Sequence, residues 1–559
     1  MKEDFLNRQS HGKLVVLLIL VAYFFLMCGN GRLSLTHPDE VFYIQTAKEM
    51  LAHHGWLTPI LFDHPQFEKP ILSFILFASG IKFFGLSPSV ARFWPAFFGI
   101  VGVLATYWIS WMLFRQKRLS FLAGLILSTS FIYIALSRGV LTDMIFSVFV
   151  VLSIGCFIGA YQNKKWSSRG IIGGFALAGL AVLTKGLLGY SFPMTVMLIF
   201  LFYKNDRSFW TCKATLWGIV IFLIIALPWH VFMYQRYGQP FIDEYWWNVH
   251  VRRIFVAEHQ RSNTWYFYLL VMFAGVMPWS LFLIPTFRLC MKQIKNKLEH
   301  AEGIAFLICW IAGVYFYVQI AQSKLASYIL PIFPAIAILL AYYLHQAFER
   351  KEDSRTAVTF KRIGYGMSVL LGITMLAAVF VSRKYAYLLV DKKPLYVFIL
   401  LALLVTCGIF YLIYRRYYVK MTLSFSCITL TLLIVLFLGV PNAESWVSCK
   451  RISEKLETFD HSQSTILTSK FYVRGVRYFT DRPVAVIDIN GQGFFSPHPI
   501  PFFNKKQSVL EFLESQPVTY SVVKKGNVED LKQIVHGKPF RLTELYQEGG
   551  KYILRIDKL

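Results

Sequence analysis

Leu14-Val15-Val16-Leu17-Leu18-Ile19-Leu20-Val21-Ala22-Tyr23-Phe24-Phe25-Leu26-Met27-Cys28 carries no charge, and soon afterwards comes His37-Pro38-Asp39-Glu40. A membrane-crossing helix needs roughly 20 apolar residues, so the first run reads as a span. Beyond the acidic pair lie Gly55-Trp56 and then Phe67-Glu68-Lys69-Pro70. Two adjacent carboxylates at the edge of a span are costly to hold there without a use. Residues 37–70 therefore read as a functional segment rather than a solvated loop.

The composition supports a membrane protein. Hydrophobic residues make up 56% of the 559-residue chain and charged residues 16%, outside the balance of soluble domains. The net charge of +26 would suggest nucleic acid in a soluble protein. Here the basic residues sit in short loops between apolar runs, as positive-inside loops do, and a nucleic-acid partner is not indicated. Of the 8 cysteines none forms a CxxC pair, so neither a zinc knuckle nor a disulfide scaffold is expected. Lys2, Arg8 and Lys13 precede the first run, which reads as a retained signal-anchor helix.

Further apolar runs recur at 91–113, 119–136, 144–162, 170–186, 189–203, 212–229, 266–286, 303–320, 328–345, 361–381, 394–414 and 421–441. With the first they give about thirteen spans. Ile71–Gly85 is shorter and interrupted by Lys82. If it does not cross, the clusters Arg115/Lys117/Arg118, Lys164/Lys165/Arg169, Lys204/Arg207, Lys292/Lys295/Lys297, Arg350/Lys351/Arg355 and Arg415/Arg416/Lys420 share one side with the basic N-terminus. That side is cytoplasmic by the positive-inside rule. Ile71–Gly85 is therefore expected to lie flat on the outer surface. The exception is Arg383-Lys384 with Lys392-Lys393, four basic residues on the outer side.

The outer face then collects residues 30–90, 137–143, 230–265 and 321–327, together with the tail. The expected domains are a membrane domain over 1–441 and an outer domain over 442–559. In the tail, alternating patterns at Thr465–Lys470, Val484–Ile489, Thr519–Lys524 and Tyr552–Ile556, with a helical stretch at Gln507–Ser515, indicate a small α/β domain.

The outer segments hold Arg138 and Asp143, then His250-Val251-Arg252-Arg253, His259, Trp265-Tyr266, and Lys324 with Tyr328 and Pro331. Singly, such cations anchor helix ends. Together they describe a water-facing pocket with carboxylates at its centre and cations around it, suited to a phosphate. Sugar transfer from a lipid phosphate needs a carboxylate to orient or deprotonate the acceptor. It also needs positive charge, or a metal, for the departing phosphate.

These motifs resemble the GT-C glycosyltransferases: an acidic pair in the first outer loop, Glu-Lys-Pro before a juxtamembrane helix, Arg…Asp in the second loop, His-x-x-Arg before Trp-Tyr, and Lys…Tyr-x-x-Pro. The branch resembled contains the lipid A 4-amino-4-deoxy-L-arabinose transferases and bacterial relatives of protein O-mannosyltransferases. The fold so implied is an α-helical polytopic membrane protein of about thirteen transmembrane helices with a small C-terminal α/β domain on the periplasmic side. The resemblance implies Asp39, Glu40 and Asp143 as the catalytic acids. Lys69 and Arg253 would hold the carrier-lipid phosphate, helped by Arg138, Lys324 and Tyr328. It also implies room for a divalent metal (Zn, Mg or Mn) at Glu68 with His250 or His259, both histidines staying open. The loop departs from the family's Glu-His-x-x-Arg-Phe, reading Val249-His250-Val251-Arg252-Arg253-Ile254. Leu183-Thr184-Lys185-Gly186 also matches the family and reads as a hairpin between spans.

The implied activity is inverting transfer, in the bacterial inner membrane, from an undecaprenyl-phosphate (polyprenyl-phosphate) sugar donor to a periplasm-facing acceptor. Lipid A is the first acceptor and a protein Ser or Thr hydroxyl the second. A lipid or solute transporter is the contrasting class. It predicts repeated halves and charges near the midplane of broken helices, whereas no repeat is visible and the charges stand at outer helix ends.

Overall fold

Each of the thirteen apolar runs becomes helix in the computed structural model, which describes residues 9–162, 167–257, 262–349, 354–385, 391–496 and 498–559. His259 and, among the basic clusters, Lys164, Lys165, Arg350 and Lys351 lie outside the described residues. Among the described residues, 8 helices are long and apolar enough to cross a membrane, or up to 10 if each bent pair counts as one span. The bent pairs are Lys117–Thr129 with Phe131–Ser137 (63°) and Phe267–Gly275 with Ser280–Lys295 (113°). The expected thirteen included His11–Leu26, Leu188–Lys204 and Ser168–Lys185. The first two are short apolar helices of 16 and 17 residues, and the third, with 18 residues, is not among the 8. Length and composition alone therefore give fewer spans than the sequence pattern. Leu72–Phe84 has 13 residues and at 1.5 Å per residue is too short for a bilayer core of roughly 30 Å.

The chain divides into two compact units. The first comprises Met1–Asn30, Lys69–Ser73 and Arg92–Leu438. Its inner helices are Thr142–Gln162 and Ala326–Phe348, with 72% and 83% of the apolar window buried, against 22% for Lys213–Tyr237 and for Lys393–Tyr414. Small residues let the inner helices approach. A Cβ on Gly174 would stand 2.6 Å from the Phe157 ring, and one on Gly218 would stand 2.2 Å from the Phe175 ring. Polar groups join them as well: the Ser153 hydroxyl donates to the Gly174 carbonyl (2.8 Å) and the Thr429 hydroxyl to the Thr129 carbonyl (2.9 Å). Where lipid supplies no hydrophobic drive between helices, such packing and hydrogen bonding hold them together.

The second unit comprises Gly31–Glu68, Phe74–Ala91 and Gly439–Leu559. The first outer segment, counted with the membrane domain in the sequence, thus groups with the tail, whose boundary falls at Leu438/Gly439 rather than 441/442. The segment contributes helix Asp39–Ala52 and a two-stranded ribbon of β1 (Ile60–Leu61) and β2 (His64–Pro65). The tail is a six-stranded sheet of β3 (Ile466–Ser469), β4 (Val484–Ile487), β5 (Phe502–Phe503), β6 (Val518–Lys524), β7 (Phe540–Glu548) and β8 (Lys551–Lys558). The order is β5-β4-β3-β6-β8-β7, parallel from β5 to β6 and antiparallel beyond. Leu467, Ala485, Ile487, Val523 and Leu554 meet Val509, Leu513 and Leu531 from helices Lys506–Glu514 and Lys525–Val535 in its core.

Two histidines of this unit are neutral, His37 buried and His498 half-buried. Burial, with Lys551 nearby, holds His37 down to about 3, and burial with Arg474 nearby does the same for His498. The unfolded chain takes up these protons near 6.5 while the folded unit resists them. Their contribution is therefore complete above pH ~6.5 and lost as the pH falls towards ~3. The Tm of the purified protein should fall steadily between pH ~7 and ~5, and His498→Gln, whose amide oxygen can accept from Arg474, should flatten that slope.

Candidate active site

Two helix ends of the first unit bring opposite charges together. Asp143 stands in the first turn of Thr142–Gln162, where the positive end of the helix dipole favours an anion. Lys185 stands in the last turn of Ser168–Lys185, where a cation is favoured. The two form an ion pair with side chains only 9% and 8% exposed. Ser327 also hydrogen-bonds the Asp143 carboxylate. The Lys185 ammonium lies 4.3 Å from the Tyr328 ring centroid and 5.7 Å from that of Phe146, so its desolvated charge is further met by aromatic faces.

Gly186 follows at φ +91°, a backbone that side-chain-bearing residues avoid. A Cβ there would stand 2.1 Å from Nε2 of His250, so glycine is what lets this histidine reach the turn. His250 lies in the last turn of a π-helical stretch, Ile242–Arg252. Its Nδ1–H donates to the Tyr245 carbonyl at 2.6 Å, which fixes the tautomer. Burial lowers its pKa to about 4 against the pull of that hydrogen bond, with Lys69 and Arg253 adding to the depression. The imidazole is neutral at pH 7. Arg253 comes next, and its backbone is tied down by Ser323 N–H on the Arg253 carbonyl and Gln322 N–H on the Ile254 carbonyl, both at 3.2 Å. Lys185 and Lys69 thus act on the Asp143 carboxylate, and Lys69 and Arg253 act on His250. Such an excess of cations suits a phosphate.

Other expected site residues are occupied differently. Arg138 donates to the main-chain carbonyls of Phe25 (2.8 Å) and Cys28 (2.7 Å) and to Asn30 Oδ1 (2.7 Å). It caps the C-terminal end of His11–Leu26, whose last carbonyls need donors, so its guanidinium is spent on structure. Lys324 is 4% exposed and reaches Asn263 Oδ1 (3.3 Å) and the Thr264 carbonyl (3.2 Å). It braces the segment leading to Trp265-Tyr266, and burial depresses its pKa.

In the second unit, Asp39 is exposed in the first turn of its helix while Glu40 is 6% exposed. Thr36 donates both its N–H and its hydroxyl to one Glu40 oxygen, each at 2.9 Å. Glu40 therefore shapes the turn that presents Asp39. Glu68 lies 3.9 Å from Arg474. Among the described residues no group of three His, Cys, Asp or Glu side chains could hold a metal ion.

Residues 13–239 match the family described as Dolichyl-phosphate-mannose-protein mannosyltransferase. Undecaprenyl phosphate-alpha-4-amino-4-deoxy-L-arabinose arabinosyl transferase 2 of Proteus mirabilis is 25% identical over 70% of this chain and 68% of its own length. Transferase 1 of the same organism is 27% identical over 67% of this chain and 66% of its own length. The structure of ArnT from Cupriavidus metallidurans bound to undecaprenyl phosphate superposes with a TM-score of 0.77 at 17% identity, covering 98% of each chain. The chain is a multi-pass membrane protein with the fold of that ArnT structure, and it resembles glycosyltransferases of the GT-C type.

The residue that sequence reasoning missed is Lys185. Its motif was visible, but a lysine at the end of an apolar run also fits a solvated hairpin, and only the fold brings it to Asp143. Lys185→Met should leave a buried carboxylate uncompensated and destabilise the protein by about 3–5 kcal/mol. Adding Asp143→Asn should recover the Tm and monodispersity of the purified protein without recovering activity.

Proposed function

We propose that this chain transfers a sugar, 4-amino-4-deoxy-L-arabinose or a close analogue, from an undecaprenyl-phosphate carrier to a phosphate of lipid A. The reaction would occur on the periplasmic face of a bacterial inner membrane, with the N-terminus cytoplasmic and the C-terminal domain periplasmic. The observation that carries this reading is the run of cations in which Lys185 and Lys69 act on the buried Asp143, and Lys69 and Arg253 act on the neighbouring His250. The names of the relatives supply its donor and sugar.

Lys69 and Arg253 hold the donor phosphate, and Lys185, fixed by Asp143, sets the field beside it. An oxygen of the acceptor attacks the anomeric carbon from the face opposite the carrier. The carbon–oxygen bond to the carrier phosphate breaks, and undecaprenyl phosphate departs with the electron pair and one more negative charge. The cations stabilise that charge as it develops. Asp39, presented by the Thr36–Glu40 turn, orients the acceptor. A lipid A phosphate is already ionised and surrenders no proton, whereas a protein hydroxyl would need Asp39 as a base. The match of residues 13–239 to a protein mannosyltransferase family favours that second acceptor class.

Mass spectrometry of lipid A from cells with and without the chain tests the reading. A pentosamine-sized addition should vanish on deletion and in a Lys69→Ala strain. Unchanged lipid A, with a glycan lost from secreted proteins instead, would favour the hydroxyl acceptor. Asp39→Asn then separates the chemistries: roughly tenfold slower transfer fits an orienting role, and a loss of 10²-fold or more fits a base.

A further inference from the structure

Helix Val473–Thr480 of the C-terminal domain carries Arg474, Arg477 and, at its C-cap, Asp481. At spacings of three and four residues these side chains share one face. That face is directed at the first outer segment. The Arg477 guanidinium donates to Asp63 Oδ2 at 2.7 Å and lies 3.7 Å from Glu49. Lys48 donates to both Asp481 carboxylate oxygens at 2.6 Å. The Arg474 guanidinium lies 4.5 Å from the Phe42 ring centroid and 3.9 Å from Glu68.

The other end of the segment is held too. His37 N–H donates to the Val447 carbonyl (3.0 Å), and the Ser448 hydroxyl donates to the Leu35 carbonyl (2.8 Å). The His37 ring stands edge-on to Phe471 and Tyr472 with centroids 5.0 and 5.3 Å away. Helix Asp39–Ala52 is thus gripped before its first turn, at its middle and at its last turns, a length of about 20 Å.

We propose that the C-terminal domain positions the Asp39 carboxylate for transfer, with Arg474, Arg477 and the Lys48–Asp481 pair as positioning residues. The inference rests on the function proposed above. Exposed ion pairs alone contribute little to stability, but this network is sheltered where it matters. Arg477 and Glu49 have side chains 12% and 6% exposed, and burial raises the Glu49 pKa. Glu49 also accepts Asp63 N–H at 2.9 Å, so one carboxylate joins helix, ribbon and Arg477. The sheet domain has its own apolar core, so a charged face spent on residues 42–68 serves placement rather than the domain's folding. Misplacing a reacting group by 1 Å can cost on the order of 100-fold in rate.

The test uses the full-length protein in detergent or nanodiscs with the purified lipid-linked donor and lipid A. Asp481→Lys should lower kcat roughly tenfold or more with donor KM nearly unchanged, because the phosphate-binding cations lie in the other unit. Hydrogen–deuterium exchange in residues 39–52 should quicken. The swap Lys48→Asp with Asp481→Lys should restore both. Arg477→Met should behave as the single variant does. Unchanged exchange and kcat in the single variants would overturn the proposal, as would quickened exchange with undiminished kcat, or a swap that restores neither. A wild-type protein that transfers nothing to either acceptor would instead sink the proposed function, and the exchange data would then decide the placement of Asp39 by themselves.

Discussion

The membrane unit is arranged around a buried ion pair. Removing Asp143 and Lys185 from water carries a desolvation cost that their attraction repays only with good geometry and further partners. The fold supplies both. Each charge stands at the helix end whose dipole favours it, Ser327 hydrogen-bonds the carboxylate, and Tyr328 and Phe146 flank the ammonium. The pair fixes where the turn at Gly186 sits. That turn receives His250, which stands in the last turn of the π-helical stretch that leads into Arg253.

Lys69, Lys185 and Arg253 belong to the helical unit, while Asp39, Glu40 and Glu68 belong to the unit that includes the tail. The division passes through Glu68-Lys69-Pro70 itself. A carboxylate whose helix is bound to the tail keeps its place through tail residues, and this gives the outer domain a purpose without any chemistry of its own. The ion pairs along residues 42–68 favour a clamp.

Much of this was legible in residue patterns, because periodicity and hydropathy record burial directly. The runs from 13–29 to 421–441 all became helices, and four tail strands lie where alternation marked them. Short β5 and strongly polar β7 escaped, since neither alternates cleanly over enough residues. Asp143 was legible because a carboxylate beside an apolar run is conspicuous. Lys185 was not singled out, and Arg138 was misread, for the same reason: a cation at a helix end looks alike whether it meets a ligand, a carboxylate or a row of carbonyls. Only the fold shows that Arg138 meets carbonyls and Lys185 meets Asp143.

The charge balance of these groups also bears on the proposed transfer. Lys69, Lys185 and Arg253 bring three positive charges and Asp143 removes one, while His250, held near pKa 4, adds none at neutral pH. Two positive charges remain. A sugar-phosphate-lipid donor is a phosphodiester with one negative charge, so it leaves the cluster with an excess. The departing carrier phosphate has two, and neutralises it. The field is therefore matched to the state after bond cleavage better than to the bound donor, which is the condition for binding energy to lower the barrier rather than only to hold substrate. A protonated His250 would spoil that match by overbinding the donor, and its burial prevents this despite the pull of the Tyr245 carbonyl.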